Sequence, residues 1–155
     1  MEIAFVAIGR LKRGPIAELI ADYVGRLPWP VLIHEIDAVD RKNAAETARA
    51  EGERLRKHLP KAGRVVALDS GGRQLTSEAF AKQLGAWRDG GTASVAFVIG
   101  GAEGLDRRLI DEADMVLSLG ALTWPHLLVR AMLAEQLFRA ASLLSGHPYH
   151  RSRRP

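Results

Sequence analysis

The chain has 155 residues, of which 47% are hydrophobic and 26% are charged; it has no cysteine, and its formal net charge is +4. These values predict one globular domain over 1–155, with 146–155 as a carboxy-terminal tail, and exclude disulfides, thiolate catalysis and cysteine-based zinc sites. No apolar run is long enough to cross a bilayer and the start does not resemble a secretory signal, so we expect a cytoplasmic protein that does not enter a membrane.

Apolar, β-branched runs alternate with amphipathic intervals along the chain. In chain order they predict a strand at 2–9, a helix at 15–26, a strand at 31–37, a helix at 43–58, a strand at 64–69, a helix at 77–88, a strand at 93–99, a helix at 105–113, a strand at 115–119 and a helix at 124–144. This alternation predicts an α/β fold with a mostly parallel sheet and flanking helices. The strand at 31–37 follows two prolines and is less apolar, so we expect it at a sheet edge. Thr76 is expected to cap the helix at 77–88.

The predicted helix at 124–144 has apolar residues on more than one face. Such a helix must be buried nearly all round, either in the core of its own chain or partly against a second subunit. The small size of the domain favours the second option, and the sequence therefore predicts a homodimer. Pro125 is expected in the first turn of this helix.

Three segments rich in glycine or proline follow predicted strands, at 68–72, 100–104 and 119–125. The carboxyl ends of parallel strands meet at one edge of a sheet, where small molecules commonly bind. Glycines let a ligand approach the backbone, and the segment 119–125 combines apolar side chains with backbone groups that suit an adenine ring. Asp69 is either a contact to a ribose hydroxyl or a turn former. The alternative for each segment is an ordinary tight turn, and no dinucleotide fingerprint or phosphate-binding loop is present.

Polar candidates for chemistry lie on the last predicted helix and in the tail. His126 and Arg130 are four residues apart, so they share a helix face and are expected to face one cleft, where Arg130 would hold a phosphate. His147, Tyr149 and His150 surround a proline in the tail, which predicts a segment that docks. No third ligand lies at a spacing typical of metal sites, so we predict no metal. The alternatives are a solvated or capping histidine and a surface ion pair for the arginine.

Positive charge gathers in loops and at the terminus, and it indicates an anionic partner. The clustered residues are Arg10, Lys12, Arg13, Arg41, Lys42, Arg151, Arg153 and Arg154. An ordinary solvated surface would explain any one of these clusters equally well.

The motifs together resemble the ribosomal RNA large-subunit methyltransferase H family, within the SPOUT class of knotted methyltransferases. The matching segments are IGGAEG at 99–104, SLGALTWPH at 118–126, LVR at 128–130, AEQ at 134–136 and HPYH at 147–150. The likeness covers the whole chain, including VAIG at 6–9 and EGE at 51–53.

This resemblance implies an α/β sheet whose carboxy-terminal segment forms a deep trefoil knot, and a homodimer that binds S-adenosylmethionine. The residues expected to contact this cofactor are Leu68, Gly100, Gly101, Leu119, Gly120, Ala121, Leu122, Thr123, Trp124 and Pro125. The implied reaction is methyl transfer to N3 of a pseudouridine in 23S ribosomal RNA on the assembled ribosome.

A sulfonium methyl group is already electrophilic, so the protein must chiefly align the two reactants and assist removal of the N3 proton. The candidates for that proton are Tyr149 and His150, then His126 and Glu103, while Arg130 would orient RNA. We expect the tail of one subunit to complete the cleft of the other. Two alternatives are a ribosome-binding module with a cofactor pocket but no turnover, and a nucleotide-binding regulator.

Two features depart from the family pattern. Gly120 stands where many relatives carry serine, so this position must contact the cofactor through its backbone. The tail continues after His150 with RSRRP at 151–155, which either adds attraction to RNA or is a disordered end.

Overall fold

The computed structural model describes residues 1–149 and confirms the predicted alternation of strands and helices. Its elements are β1 (Glu2–Ile8), α1 (Pro15–Gly25), β2 (Val31–Ile36), α2 (Ala44–Arg56), β3 (Arg64–Gln74), α3 (Ser77–Asp89), β4 (Ser94–Ile99), α4 (Arg107–Glu112), β5 (Met115–Ser118) and α5 (His126–Ser145). The strands form one sheet in the order β2-β1-β4-β3-β5, and every neighbouring pair is parallel. The strand β2 lies at the edge, as predicted. Strand order does not trace the threading of the chain, so the knot stays a prediction.

Helices cover both faces of the sheet, which explains why the strands are apolar almost throughout. Successive side chains of β1 point to opposite faces. Phe5 packs in a core cluster shared with α3 and α5, and partly buried residues of α1 pack against it. Val6 packs in the second cluster with Leu55 of α2 and Leu109 of α4. The fold is therefore three-layered, with the sheet between two sets of helices.

The strand β3 runs further than the predicted end at residue 69. Leu68 and Arg73 both lie opposite Leu117, with an irregularity between them where the chain bulges away from β5. A Cβ atom at Gly72 would lie 2.7 Å from the carbonyl carbon of Val116, so the absence of a side chain lets the strand return to its neighbour. The prediction stopped early because glycines normally indicate the end of a strand.

Helix ends agree with the sequence where a capping side chain is present. The Thr76 hydroxyl accepts a hydrogen bond from the Ala79 backbone NH at 3.1 Å, which confirms that predicted cap.

The last helix begins at His126, because Pro125 has a ψ of 133° and so precedes the first turn. The predicted start at 124 and the placement of Pro125 in the first turn are wrong. Proline restricts Trp124 before it to extended backbone.

Most of α5 is buried within its own chain. It packs against the sheet, α1 and α3, and its buried residues include Leu133 and Leu137. Among its apolar side chains only Leu128 is classed as exposed. The sequence predicts part of this burial against a second subunit, whereas most of it is found in the core of the same chain. The buried residues of α5 therefore give no evidence for a homodimer, and an interface would have to use other residues.

Candidate active site

A cleft of about 210 Å³ lies at the carboxyl edge of the sheet, where the bulge of β3 and the segments after β4 and β5 meet the start of α5. It is lined by most of the residues expected to contact a cofactor, namely Leu68, Gly100, Gly101, Leu119, Gly120, Leu122, Thr123 and Trp124. Ala121 and Pro125 belong to the same segment but do not line the cleft. The parallel sheet thus brings together loops that are far apart in sequence.

The loop after β4 is a tight turn closed by its glycines. The Gly104 backbone NH donates to the Gly101 carbonyl at 3.1 Å, and Gly104 has a φ of 77°, which favours glycine. A Cβ atom at Gly100 would lie 2.6 Å from the Gly104 carbonyl carbon. Glycine at 100 is therefore required by the turn itself, and the turn presents its backbone to the cleft.

The loop after β5 is held by a side chain and by one glycine. The Ser118 hydroxyl donates to the Gly120 carbonyl at 3.0 Å and accepts from the Gly120 NH at 3.2 Å. Gly120 has a φ of 120°, a conformation that side-chain-bearing residues rarely adopt. Beyond it Leu122 is 70% exposed and Trp124 is 39% exposed. The loop therefore places apolar side chains at the mouth of the cleft.

Asp69 and Ser70 also line the cleft, and they lie in the bulge of β3. The Asp69 carboxylate accepts a hydrogen bond from the Gly71 backbone NH at 2.8 Å, which is the contact of a turn-forming aspartate. This favours the turn-forming interpretation of Asp69, and its position in the cleft leaves a contact to a ligand hydroxyl compatible with the geometry.

His126 lines the cleft as the first residue of α5. Its Nε2 atom lies 3.2 Å from the position that a Cβ atom at Gly9 would take, so the ring packs against the end of β1. Burial lowers the pKa of His126, the charge of Arg130 lowers it further, and the charge of Glu51 opposes these effects. The imidazole is consequently neutral near pH 7 and able to accept a proton.

Arg130 does not face the cleft as predicted. It is 1% exposed, and its guanidinium binds the Glu35 carboxylate at 2.9 Å and the carbonyls of Ile8 and Gly9 at 2.6 Å each. Burial lowers the pKa of Arg130, and the pairing with Glu35 opposes this shift. The residue is thus engaged inside the protein, where RNA phosphate does not reach it. The i, i+4 spacing places both side chains on one helix face but does not fix their depth.

Tyr149 docks as predicted for the tail, but away from the cleft of its own chain. Its hydroxyl donates to Glu135 at 3.2 Å and lies 3.3 Å from the Tyr23 hydroxyl, and its ring packs edge-on against Phe138. Burial and these neighbours raise the pKa of Tyr149 far above its ordinary value. Glu103 is exposed in the turn after β4 and does not line the cleft. His150 lies outside the described residues.

Several residues of the site were not predicted from the sequence. Ile99 and Leu117 are the apolar ends of β4 and β5 and form walls of the cleft. Val129 lines it one helical turn after His126. Glu51 is a charged residue on the buried stripe of α2, between Ala48 and Leu55. A carboxyl group in such a stripe is the sequence signal that was available.

Residues 1–149 contain no group of three or more histidine, aspartate or glutamate side chains that could hold a metal ion. No helix in the same part of the chain is long and apolar enough to span a bilayer.

Comparisons with known proteins agree with these features. A family model described as "Predicted SPOUT methyltransferase" matches residues 1–150. Two relatives are named "Ribosomal RNA large subunit methyltransferase H": that of Rhodospirillum centenum is 47% identical over 98% of this chain and 100% of its own. That of Acidiphilium cryptum is 50% identical over 99% of this chain and 96% of its own.

A solved structure shares the fold. It is that of a probable methylase family protein from Haemophilus influenzae, with a TM-score of 0.54 and 15% identity, and the match covers 99% of this chain and 71% of that one. At this identity the likeness concerns the fold alone.

Proposed function

This chain belongs to the SPOUT methyltransferase family, and from that premise we propose that it is a ribosomal RNA methyltransferase. Its donor is S-adenosylmethionine, and its acceptor is N3 of a pseudouridine in 23S ribosomal RNA on the assembled ribosome. It works in the cytoplasm, where ribosomes are found. The observation that carries this proposal is the cleft at the carboxyl edge of the sheet, with the His126 side chain in its wall.

The residues of the cleft fit the proposed donor. Its walls include Leu68, Ile99, Leu117 and Leu119, which offer apolar surface to both faces of a flat ring. The segment 119–125 supplies backbone NH and carbonyl groups that hydrogen bond to the edge of an adenine. When bound, S-adenosylmethionine supplies an electrophilic methyl group, so no metal is required of the protein.

His126 is the side chain we assign to proton removal. It lines the cleft and carries a lowered pKa, so its free imidazole is available at neutral pH. Glu103 is a weaker candidate because it lies outside the cleft. Tyr149 and His150 contribute, in this proposal, to the cleft of a second subunit, because Tyr149 contacts α1 and α5 of its own chain at a distance from the cleft.

RNA would approach the carboxyl edge of the sheet. The loops after β1 and β2 end at the same edge as the cleft and carry the exposed residues Lys12, Arg13, Arg41 and Lys42. Cations at one edge of the sheet suit a folded RNA surface whose phosphates are held in place. Replacing Lys12 and Lys42 by glutamine is expected to weaken ribosome binding and to make that binding less dependent on salt concentration. The same change at Lys57 and Lys61, which precede β3 at the opposite edge, is the control and is expected to have little effect.

We also propose that the active protein is a homodimer. Exposed apolar side chains at the cleft mouth and on the first turn of α5 favour an interface there, and they are Leu122, Trp124 and Leu128. Sedimentation at increasing concentration tests this: Leu128→Asp should shift the protein toward the monomer. The same change at the exposed Leu19 of α1 is the control. A wild-type protein that sediments as a monomer at all concentrations contradicts the proposal.

The decisive experiment for the function is a tritium-transfer assay from labelled S-adenosylmethionine to whole ribosomes, separated subunits and naked RNA. Transfer to whole ribosomes, mapped by mass to the pseudouridine, is the expected result. Binding of S-adenosylmethionine in calorimetry without transfer to any substrate would identify a ribosome-binding module instead. Absence of binding as well would overturn both assignments.

A further inference from the structure

Glu51 is a buried carboxyl group with a hydrogen-bond partner on only one of its two oxygens among residues 1–149. It is 3% exposed and lies in the middle of α2. Its Oε1 atom accepts a hydrogen bond from the Val39 backbone NH at 3.1 Å, whereas Oε2 is buried with no partner among residues 1–149. Burying a carboxylate without full pairing costs free energy, so an oxygen left in this state requires a functional explanation.

The unpaired oxygen lies against the wall of the cleft. A Cβ atom at Gly101 would lie 2.9 Å from Glu51 Oε2 and 3.3 Å from Oε1, so only glycine leaves room for the carboxyl group there. Gly101 itself lines the cleft. The carboxyl group therefore sits directly behind the loop that follows β4.

His126 approaches the same region from α5. Ala7 of β1 lies opposite Ile99 of β4 in a parallel pairing, so Gly9 and Gly101 follow at neighbouring strand ends. The His126 Nε2 atom lies 3.2 Å from the Cβ position of Gly9, and Glu51 Oε2 lies 2.9 Å from that of Gly101. The imidazole and the carboxyl group thus pack on two adjacent strand ends.

Two charged groups act on this histidine, and a third binds one of them. Arg130 is on its own helix, Glu51 is on α2, and Glu35 of β2 binds Arg130 at 2.9 Å. Glu51 is thus the negative group that acts on the imidazole. In agreement with this arrangement, Glu51 raises the pKa of His126 against the lowering effects of burial and of Arg130.

We propose that Glu51 is a positioning residue for His126. The unpaired oxygen of Glu51 stabilises the imidazolium that forms when His126 removes the proton from the acceptor nitrogen. The inference rests on the proposed function. The N3–H bond of the pseudouridine breaks and its proton passes to the His126 imidazole. The electron pair left on N3 forms the new bond to the methyl carbon. The sulfur–methyl bond breaks, and its electron pair stays on the departing thioether.

Glu51→Gln tests this proposal, because the amide keeps the size of the side chain and the acceptor for the Val39 NH. The matched control is Glu53→Gln, the same change two residues along α2 on an exposed side chain. The pKa of His126 is measured by NMR in the free protein, with its ring signals assigned from His126→Gln. Methyl transfer to ribosomes is measured across the same pH range.

In Glu51→Gln the pKa of His126 is expected to fall, because a negative charge that favours the imidazolium is lost. The acid limb of the rate profile should then move to lower pH while the plateau rate falls on the order of tenfold, since the base is weaker. Glu53→Gln should leave both unchanged. An unchanged pKa of His126 in Glu51→Gln, or a lower rate with the acid limb in place, would overturn the proposal.

A wild-type measurement covers the case in which Glu51→Gln does not fold. The ¹³C signal of the Glu51 carboxyl group should show a step at the pKa of His126, and His126→Gln should remove it. Absence of that step overturns the inference. Failure of the proposed function gives a different result. The wild-type protein would then transfer no methyl group to ribosomes, even if the Glu51 signal shows the step at the pKa of His126.

Discussion

Two parts of α5 bear on the residues that the sequence predicted for catalysis, and they differ in their surroundings. At the amino end, His126 lines the cleft and Arg130 is buried. From the middle of the helix onwards, Glu135 pairs with Arg139 and accepts a hydrogen bond from Tyr149, with Tyr23 of α1 close by. The first part lines a ligand site, and the second part binds Tyr149.

The separation of these two parts has a mechanistic consequence. Glu135 is nine positions after His126, which corresponds to about 13 Å along a helix axis. Tyr149, bound at Glu135, is therefore too far from His126 to share its substrate within one chain. If both residues act on one acceptor base, they must come from different subunits or the tail must leave its docked position.

The largest expected effect concerns stability and compares the two arginines of α5. Arg130→Met should lower the free energy of unfolding by about 3 kcal/mol, because it leaves Glu35 and two carbonyls without their partner. Arg139→Met, at the more exposed end, should cost clearly less. Urea unfolding measures both. Equal losses would mean that burial does not distinguish the two ends.

Removing the imidazole at the amino end is expected to have the next largest effect. His126→Gln should reduce methyl transfer about a hundredfold, because it removes the assigned general base. Calorimetry should find S-adenosylmethionine affinity nearly unchanged, since the walls of the cleft remain. A loss of affinity that matched the loss of rate would assign His126 to cofactor binding instead.

A smaller loss, roughly tenfold, is expected for Tyr149→Phe, which removes the hydroxyl and keeps the ring against Phe138. Mixing this variant with His126→Gln then tests whether the tail acts on the other subunit. Half of randomly formed dimers are mixed and each has one intact site, so roughly a quarter of the wild-type rate should return. If the mixture recovers nothing, each tail serves its own chain.

The fold followed from the sequence because burial on both faces of the sheet leaves a clear signal. Each strand is a short apolar run and each intervening helix has a polar face, so the elements and the edge position of β2 were predictable. The cleft was predictable for the same reason, since loops after parallel strands must meet at one edge.

How deeply a polar side chain is buried was not predictable in this way. Periodicity identifies a helix face and not the groups packed against it. The sequence therefore predicts Arg130 at a ligand and does not indicate Glu51 as part of the site. The partners that decide both cases come from β1, β2 and the loop after β4, which are distant in sequence. A charged residue inside an apolar stripe was the one local sign of a buried role.

The smallest expected effect comes from Gly120, in the loop after β5. Its φ of 120° explains the glycine, because a side chain at this position would strain the backbone and the two contacts with Ser118. Gly120→Ala should therefore lower the free energy of unfolding by about 1 kcal/mol and leave S-adenosylmethionine affinity nearly unchanged, because the strain is present with and without the ligand. Urea unfolding and calorimetry measure the two quantities, with Gly25→Ala as the control, since a Cβ atom there would meet nothing within 4 Å. If Gly120→Ala instead loses affinity, the variant loop relaxes when the cleft is empty, and the loop is less preformed than its contacts indicate.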